Sequence, residues 1–437
     1  MIGILTAIAV VFLTGFSPNN PASINWNQKI TQIERSWEAQ YEDYFNHNLA
    51  EIRLDAEGIS QTLKQAAQRT QTHPAVLWVI PESEGLNLIL LTPGGSPVGK
   101  LIPAATMKNL LPMIQTLRAE LTDPRRQNRI ANLNSAQQLY QWIVQPFETV
   151  LAAEGIDTIL FCTGPGLRTL PLAALHDGRQ FLIERYSITR IPAFNLFNSE
   201  PASLKAAQVL AMGASEFQQQ TPLPAVPIEL NAIVHSGETQ ALDLESQWPG
   251  KRFLNQAFTL KNLQNQLASG SFQIVHLATH AEFKSGSPKN SYIQLWDDQL
   301  QLDQMDQINW QNPPAELLVL SACKTAIGDD TVELGFAGLA LQAGVKSAVA
   351  SLWYVSDTGT LALMSEFYRQ LKTTSTKAEA LRQAQIAMLS GKVRIEQNEL
   401  LGSRGGVTLL PDLTEFRNED FTHPFYWAGF SLIGSPW

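Results

Sequence analysis

Three side chains in the second half of the chain have the functional groups that acyl transfer to a nucleophile requires: Cys323, His280 and Asp357. Cys323 stands in Leu-Val-Leu-Ser-Ala-Cys-Lys-Thr, an apolar strand-like run that gives way to polar residues and a helix. A cysteine there is either a small buried residue or a nucleophile. At a strand–loop–helix junction the helix amino-terminal field and a nearby base lower the thiol pKa. His280 ends the run Ile-Val-His-Leu-Ala-Thr-His and is either a satisfied strand-end histidine or a general base and acid. Asp357 precedes Thr358-Gly359-Thr360 and an apolar-striped helix. It is either a first-turn carboxylate that suits the helix dipole or the floor of a pocket for a basic side chain.

Other chemistries fit less well. His276 and His280 have the spacing of a zinc-binding helix motif, but no Glu accompanies them and the pattern is a strand. His276 is then a core residue or a support for the site. Gly94 to Lys100 matches a phosphate-loop pattern, yet Leu101 replaces the hydroxyl that would ligate magnesium, and the segment joins two strands. A β-hairpin is the better reading. No Gly-x-Ser-x-Gly elbow occurs. Cys162 and Cys323 are the sole cysteines, too few for a disulfide framework or a Cys-rich zinc site. The expected chemistry uses no metal and no cofactor.

The elements that must position these residues follow from hydrophobic periodicity. Residues 29–70 read as helix, with Ile30, Ile33, Trp37 and Tyr41 on one stripe. Strands at 75–80, 86–91 and 98–102 and a helix at 106–121 make a small α/β module, and the polar, Pro-containing stretch 122–131 is the expected boundary. Beyond it helices alternate with short apolar strands. Helices are expected at 136–151, 228–235, 260–267, 358–371 and 377–389, and strands at 158–161, 182–191, 208–212, 272–278, 316–320, 347–353 and 425–433. Such alternation implies a largely parallel sheet covered on both faces, with function gathered beyond the carboxyl ends of its strands. His280, Cys323 and Asp357 then follow three strands at one end of that sheet.

The composition is that of a globular protein: 437 residues, 44% hydrophobic and 16% charged, which excludes a disordered or fibrous chain. With a net charge of −9 and no basic run, no nucleic-acid partner is expected. Residues 2–16 are continuously apolar or small, shorter than a membrane span and lacking a preceding Lys or Arg. If residues 1–23 act as a signal or anchor, the chain is exported or membrane-associated; otherwise it stays in the cytoplasm.

Three stretches together resemble the signature segments of the CHAT domain family: Ile274 to His280, Leu317 to Thr325 and Ser351 to Asp357. Gly335-Phe336-Ala337-Gly338-Leu339, Ala343-Gly344-Val345 and His423 to Ala428 are similar as well, so the likeness runs from about 133 to 437. That family is related to caspases and separases. The resemblance implies a caspase-like α/β fold over residues 132–437, following an N-terminal α/β module at 24–131. It also implies a cysteine endopeptidase acting on protein or peptide substrates, with His280 as catalytic histidine and Cys323 as nucleophile. Backbone N–H groups of Ala281 and Cys323 would hold the oxyanion. Ala281 departs from the His-Gly pair usual in caspases. The Ser351 to Asp357 stretch is similar to the separase segment whose aspartate receives a basic residue, which casts Asp357 as the substrate-binding carboxylate and predicts cleavage after Arg or Lys. An activating protein partner is a further expectation. The competing reading is a non-catalytic CHAT scaffold that binds a partner in signalling. The family's frequent tetratricopeptide array is absent.

Overall fold

The computed structural model describes residues 25–49, 53–123, 133–197, 199–235, 247–308, 310, 315–325, 329–403, 405–408 and 419–437. The apolar run at 1–23 and the boundary stretch from 124 to 131 lie outside them. No described helix is long and apolar enough to cross a membrane.

In chain order, α1 (Trp26–Phe45) and α2 (Ala56–Thr70) precede β1 (Pro74–Glu82), β2 (Gly85–Leu91), β3 (Val98–Ile102) and α3 (Met107–Thr122). Next come α4 (Asn134–Ile143), α5 (Glu148–Ala153), β4 (Thr158–Thr163), α6 (Leu182–Arg185), β5 (Ser187–Ile191) and β6 (Val209–Gly213). Then follow α7 (Val226–Ile233), β7 (Val234–His235), β8 (Trp248–Leu254), α8 (Leu260–Ser269), β9 (Ile274–Phe283), β10 (Tyr292–Gln294), β11 (Gln299–Gln301) and β12 (Leu317–Thr325). The last third holds α9 (Asp330–Ala337), α10 (Leu339–Ala343), β13 (Ser347–Ser351), α11 (Asp357–Leu371) and α12 (Lys377–Leu389). It closes with β14 (Arg394–Glu396), β15 (Glu399–Gly402), β16 (Gly405–Thr408), β17 (Glu419–Asp420), α13 (Pro424–Trp427) and β18 (Phe430–Gly434).

A 14-stranded, mostly parallel sheet runs β3-β2-β1-β4-β5-β18-β13-β12-β9-β6-β8-β7, with β10 and β11 attached at β9. Strands β14 to β17 form a separate four-stranded sheet. Helices flank the large sheet: α7, α11 and α12 pack on one another and on its middle strands, while α9 and α10 lie against β9, β13 and β18. The α/β class with a mostly parallel sheet is therefore as expected from the alternation of apolar runs. Residues 25–123 join the same sheet edge to edge, through the parallel pairing of Ala75 to Val79 with Ile159 to Thr163. The strands β1, β2 and β4 are buried along nearly their whole length, because helices cover both faces and leave no polar alternation to read.

Several boundaries differ from the periodicity reading, each for a local reason. The expected helix at 29–70 is two helices: Asn46 takes left-handed φ of 58° at the end of α1, and the Asp55 side chain caps α2 by accepting from the Gly58 N–H. In the expected strand at 182–191 the first four residues form α6, because the Glu184 carboxylate accepts from the Phe181 N–H and closes a helical turn. The expected strand at 425–433 opens as α13, with Pro424 at the first helical position and the His423 ring accepting from the Phe425 N–H. Residues 94–100 do form a hairpin turn and strand: β3 pairs antiparallel with β2, and Gly94 supplies the φ of +74° that the turn needs. Cys162 lies on β4 and Cys323 on β12, with three strands between them. At about 4.8 Å per strand the two backbones stand roughly 19 Å apart, too far for a disulfide.

The seam of the large sheet lies between β5 and β18, which share the single register pair Arg190–Ile433. The buried Thr189 hydroxyl reinforces it by donating to the Gly434 carbonyl at 2.7 Å. Thr189→Val keeps the strand propensity and removes that hydrogen bond. The substitution is expected to lower stability by about 1–2 kcal/mol, seen as a lower urea midpoint with an unchanged m-value.

Candidate functional site

The site begins with an irregularity in the strand pairing. From Leu317–Ile274 to Leu320–Leu277 the strands β12 and β9 pair in steady parallel register; the next pair is Ala322–His280, so β9 carries one extra residue. Pairing then resumes through Cys323–Ala281, Lys324–Glu282 and Thr325–Phe283. The outer neighbours stop earlier. The last pair of β6 with β9 is Gly213–Ala278, and that of β13 with β12 is Val349–Val319. Beyond the bulge, β9 and β12 thus continue as a ribbon past the edge of the sheet, with β10 covering β9 at Ala281 and Glu282. The sequence pattern had His280 and Cys323 in loops after strands that end at 278 and 320; both are strand residues. Each of these strands supplies hydrogen-bond partners to the other, so neither needs to turn away. Bulges concentrate at such rims and re-aim the residues that follow.

His280 and Cys323 are one register position apart on adjacent strands. Ala281, between Cys323 and Ile293, sits in extended strand backbone, so its place requires no glycine. The His280 ring is half-buried, 4.8 Å from the Phe217 ring and stacked at 6.2 Å on the Tyr354 ring (centroid distances). Its Nε2 lies 2.8 Å from the Thr221 carbonyl oxygen. A carbonyl only accepts, so Nε2 carries the proton and the neutral ring keeps its lone pair on Nδ1. Burial lowers the His280 pKa, outweighing the carbonyl, which favours the protonated ring. The side chain is thus a neutral imidazole at pH 7, the protonation state a general base needs.

Asp357 occupies the first turn of α11, behind the Ser356 cap. Its Oδ2 accepts from the Ala225 N–H at 2.5 Å, where α7 begins. Burial, opposed by that N–H and assisted by Glu229, raises its pKa to about 7. His280 and Asp357 therefore grip one connection: Thr221 and Ala225 are four residues apart in the segment between β6 and α7. Pro222 and Pro224 stiffen that segment by fixing φ. Tyr354, 39% exposed, spans the remaining gap, three residues before Asp357 and against the His280 ring.

A fully buried polar group lies behind. His276 Nε2 is 2.8 Å from Glu229 Oε1, and its Nδ1 is 3.2 Å from the Tyr368 hydroxyl. The Tyr368 hydrogen bond ties β9 to α11, the Glu229 carboxylate of α7 lies beside Nε2 without hydrogen-bond geometry, and His276 is the supporting core residue that its strand position predicts. Among the described residues no group of three His, Cys, Asp or Glu gathers as a metal site.

Sequence reasoning missed Phe217, Thr221, Ala225, Tyr354 and Arg118. Thr221 and Ala225 act through backbone atoms, which leave no trace in residue type. Arg118 reaches from α3 to donate to the carbonyls of Leu352, at 2.7 Å, and Thr325, at 3.3 Å, holding the ends of β13 and β12. A signal existed for it: Arg118 follows Leu110 and Ile114 at four-residue spacing, a charge on an apolar stripe.

The Asp357 carboxyl has a checkable consequence. The unfolded group ionises near 3.8, the folded one near 7, so over that window folding retains a proton that the unfolded chain releases. Stability contributed by Asp357 therefore falls as pH rises from about 4 to about 7. Asp357→Asn, which can still accept from Ala225, is expected to flatten the curve of urea midpoint against pH in that window; an equally steep curve would assign the titration elsewhere.

Among solved structures, the chain is similar to the separase of the Saccharomyces cerevisiae separase–securin complex, with 10% identity and a TM-score of 0.49 over 94% of this chain and 33% of that one. It is also similar to the complex of Porphyromonas gingivalis RgpB pro- and mature domains, with 12% identity and a TM-score of 0.40 over 76% of this chain and 77% of that one. The chain thus spans about a third of the separase chain it matches. No curated protein sequence matches it. Residues 133–435 match the model of the CHAT domain, and the chain belongs to the CHAT domain family.

Proposed function

We propose that the chain is a cysteine endopeptidase that cleaves protein substrates with a His280/Cys323 dyad, without metal or cofactor. What supports the reading is that His280 and Cys323 stand on neighbouring strands at the carboxyl rim of the sheet, inside the segments that match the CHAT domain. Because Cys323 pairs with Ala281, the two positions alternate to opposite faces of the ribbon, so the dyad requires residue 323 to leave this register before its sulfur meets the ring. His280, neutral and held through Nε2 by the Thr221 carbonyl, takes the thiol proton on Nδ1. The thiolate attacks the scissile carbonyl, and the imidazolium returns the proton to the leaving amine. The thioester formed on Cys323 is then hydrolysed by water deprotonated by the same ring. Backbone N–H groups of Ala281 and Cys323 are the proposed oxyanion donors.

Asp357 is the proposed receptor for a basic residue preceding the cleaved bond. In its support, the carboxyl is half-buried at a helix N-terminus and linked through Tyr354 to the His280 ring. An arriving guanidinium or ammonium would draw off the proton that burial favours. An activating protein partner belongs to the same proposal.

Labelling by a thiol-reactive peptide carrying Arg tests the dyad. Cys323→Ala and His280→Ala should each cut labelling and peptide hydrolysis by at least about a thousandfold. Asp357→Asn should reduce kcat/KM roughly thirtyfold for Arg and Lys peptides and leave neutral ones alone. Labelling that survives both dyad substitutions would overturn the assignment. Intact fold with no hydrolysis of any peptide, and a protein partner bound, would favour the scaffold.

A further inference from the structure

Three arginines are buried where α1 and α3 meet the rest of the molecule: Arg118 on α3, Arg168 in the loop after β4, and Arg190 on β5, exposed by 2%, 1% and 1%. One carboxylate accompanies them. Glu333 on α9 feels, or is felt by, all three guanidiniums, but its oxygens accept from the Gly166 N–H and the Thr169 hydroxyl. Among the described residues, no carboxylate lies within salt-bridge distance of any of the three.

The guanidiniums are partly satisfied by neutral acceptors. Arg118 donates to the Thr325 and Leu352 carbonyls, Arg190 to those of Leu167 and Leu170, and Arg168 to the Gln40 side chain. Nε and Nη1 of Arg118 and the Nε atoms of Arg168 and Arg190 are buried without a partner. So is the hydroxyl of Tyr41, whose ring lies 5.2 Å beneath the Arg168 guanidinium. Burial lowers the pKa of Arg118 and of Arg190 to about 10, still well above neutral pH, so the charges persist. Three buried positive charges facing one negative charge, with five idle donors, is an arrangement that an anion completes. Guanidinium forks match the oxygens of a tetrahedral oxyanion better than they match a spherical halide.

We propose that Arg118, Arg168, Arg190 and the Tyr41 hydroxyl form a binding site for a small oxyanion of the phosphate or sulfate class. The bound ion would join residues of α1 and α3 to β5 and the loop after β4. Through Arg118 it would brace Thr325, two residues beyond Cys323.

The test uses the full chain exchanged into chloride buffer and titrated with inorganic phosphate at constant ionic strength, followed by calorimetry and melting temperature. Saturable one-site binding and a rise in Tm above the chloride control are expected. Tyr41→Phe, which removes one idle donor and no existing bond, should weaken phosphate about tenfold while folding as the parent does. Arg118→Met should abolish binding. Phosphate acting no differently from chloride, or binding equally well in both variants, would overturn the site. Neither readout depends on peptidase activity.

Discussion

The pairing of β9 with β12 beyond their outer neighbours is the constraint on which the candidate site depends. A strand that leaves its sheet exposes its amide and carbonyl groups, and a lone extended segment has no reason to hold its shape. Here each of the two strands supplies the other's hydrogen bonds, and β10 covers one edge. The result is a rigid ribbon where loops would otherwise be, and residues 280 and 323 are held at a fixed register on it. The bulge between Leu277 and His280 adds the one residue that sets that register.

The ribbon is then fixed against the helices by polar contacts from two depths. At the rim, backbone atoms of the Pro-flanked segment between β6 and α7 bond the His280 ring and the Asp357 carboxylate. Deeper, the Tyr368 hydroxyl bonds His276 and connects the same strand to α11, with the Glu229 carboxylate of α7 alongside. Buried polar groups are expensive unless partnered, so each such contact favours one packing of α7 and α11 over alternatives that would strand them. That selectivity keeps a half-buried imidazole in one tautomer.

Residues 25–123 are bound into this arrangement in two ways. Their strands extend the large sheet through β1 and β4, and their helices send Arg118 and Tyr41 into the interior. Arg118 holds the carbonyl of Thr325 and that of Leu352, so the amino-terminal segment bears on the ends of β12 and β13. A charge placed there carries a desolvation cost that carbonyl dipoles offset only in part.

The sequence by itself determined the alternation of buried strands and helices, the family, and the candidates His280, Cys323 and Asp357, because apolar runs and side-chain chemistry are written residue by residue. It placed His276 in a supporting role for the same reason. Short stretches such as 182–185 and 424–427 escaped it, since one carboxylate or one proline outweighed the apolar pattern there. Only the tertiary structure decided that the strands run on past 278 and 320, that the Thr221 carbonyl selects the histidine tautomer, and that Arg118 crosses from α3 to the ends of β12 and β13. Those outcomes depend on which backbone groups find partners across distant parts of the chain, and a backbone amide or carbonyl has the same chemistry whatever residue bears it.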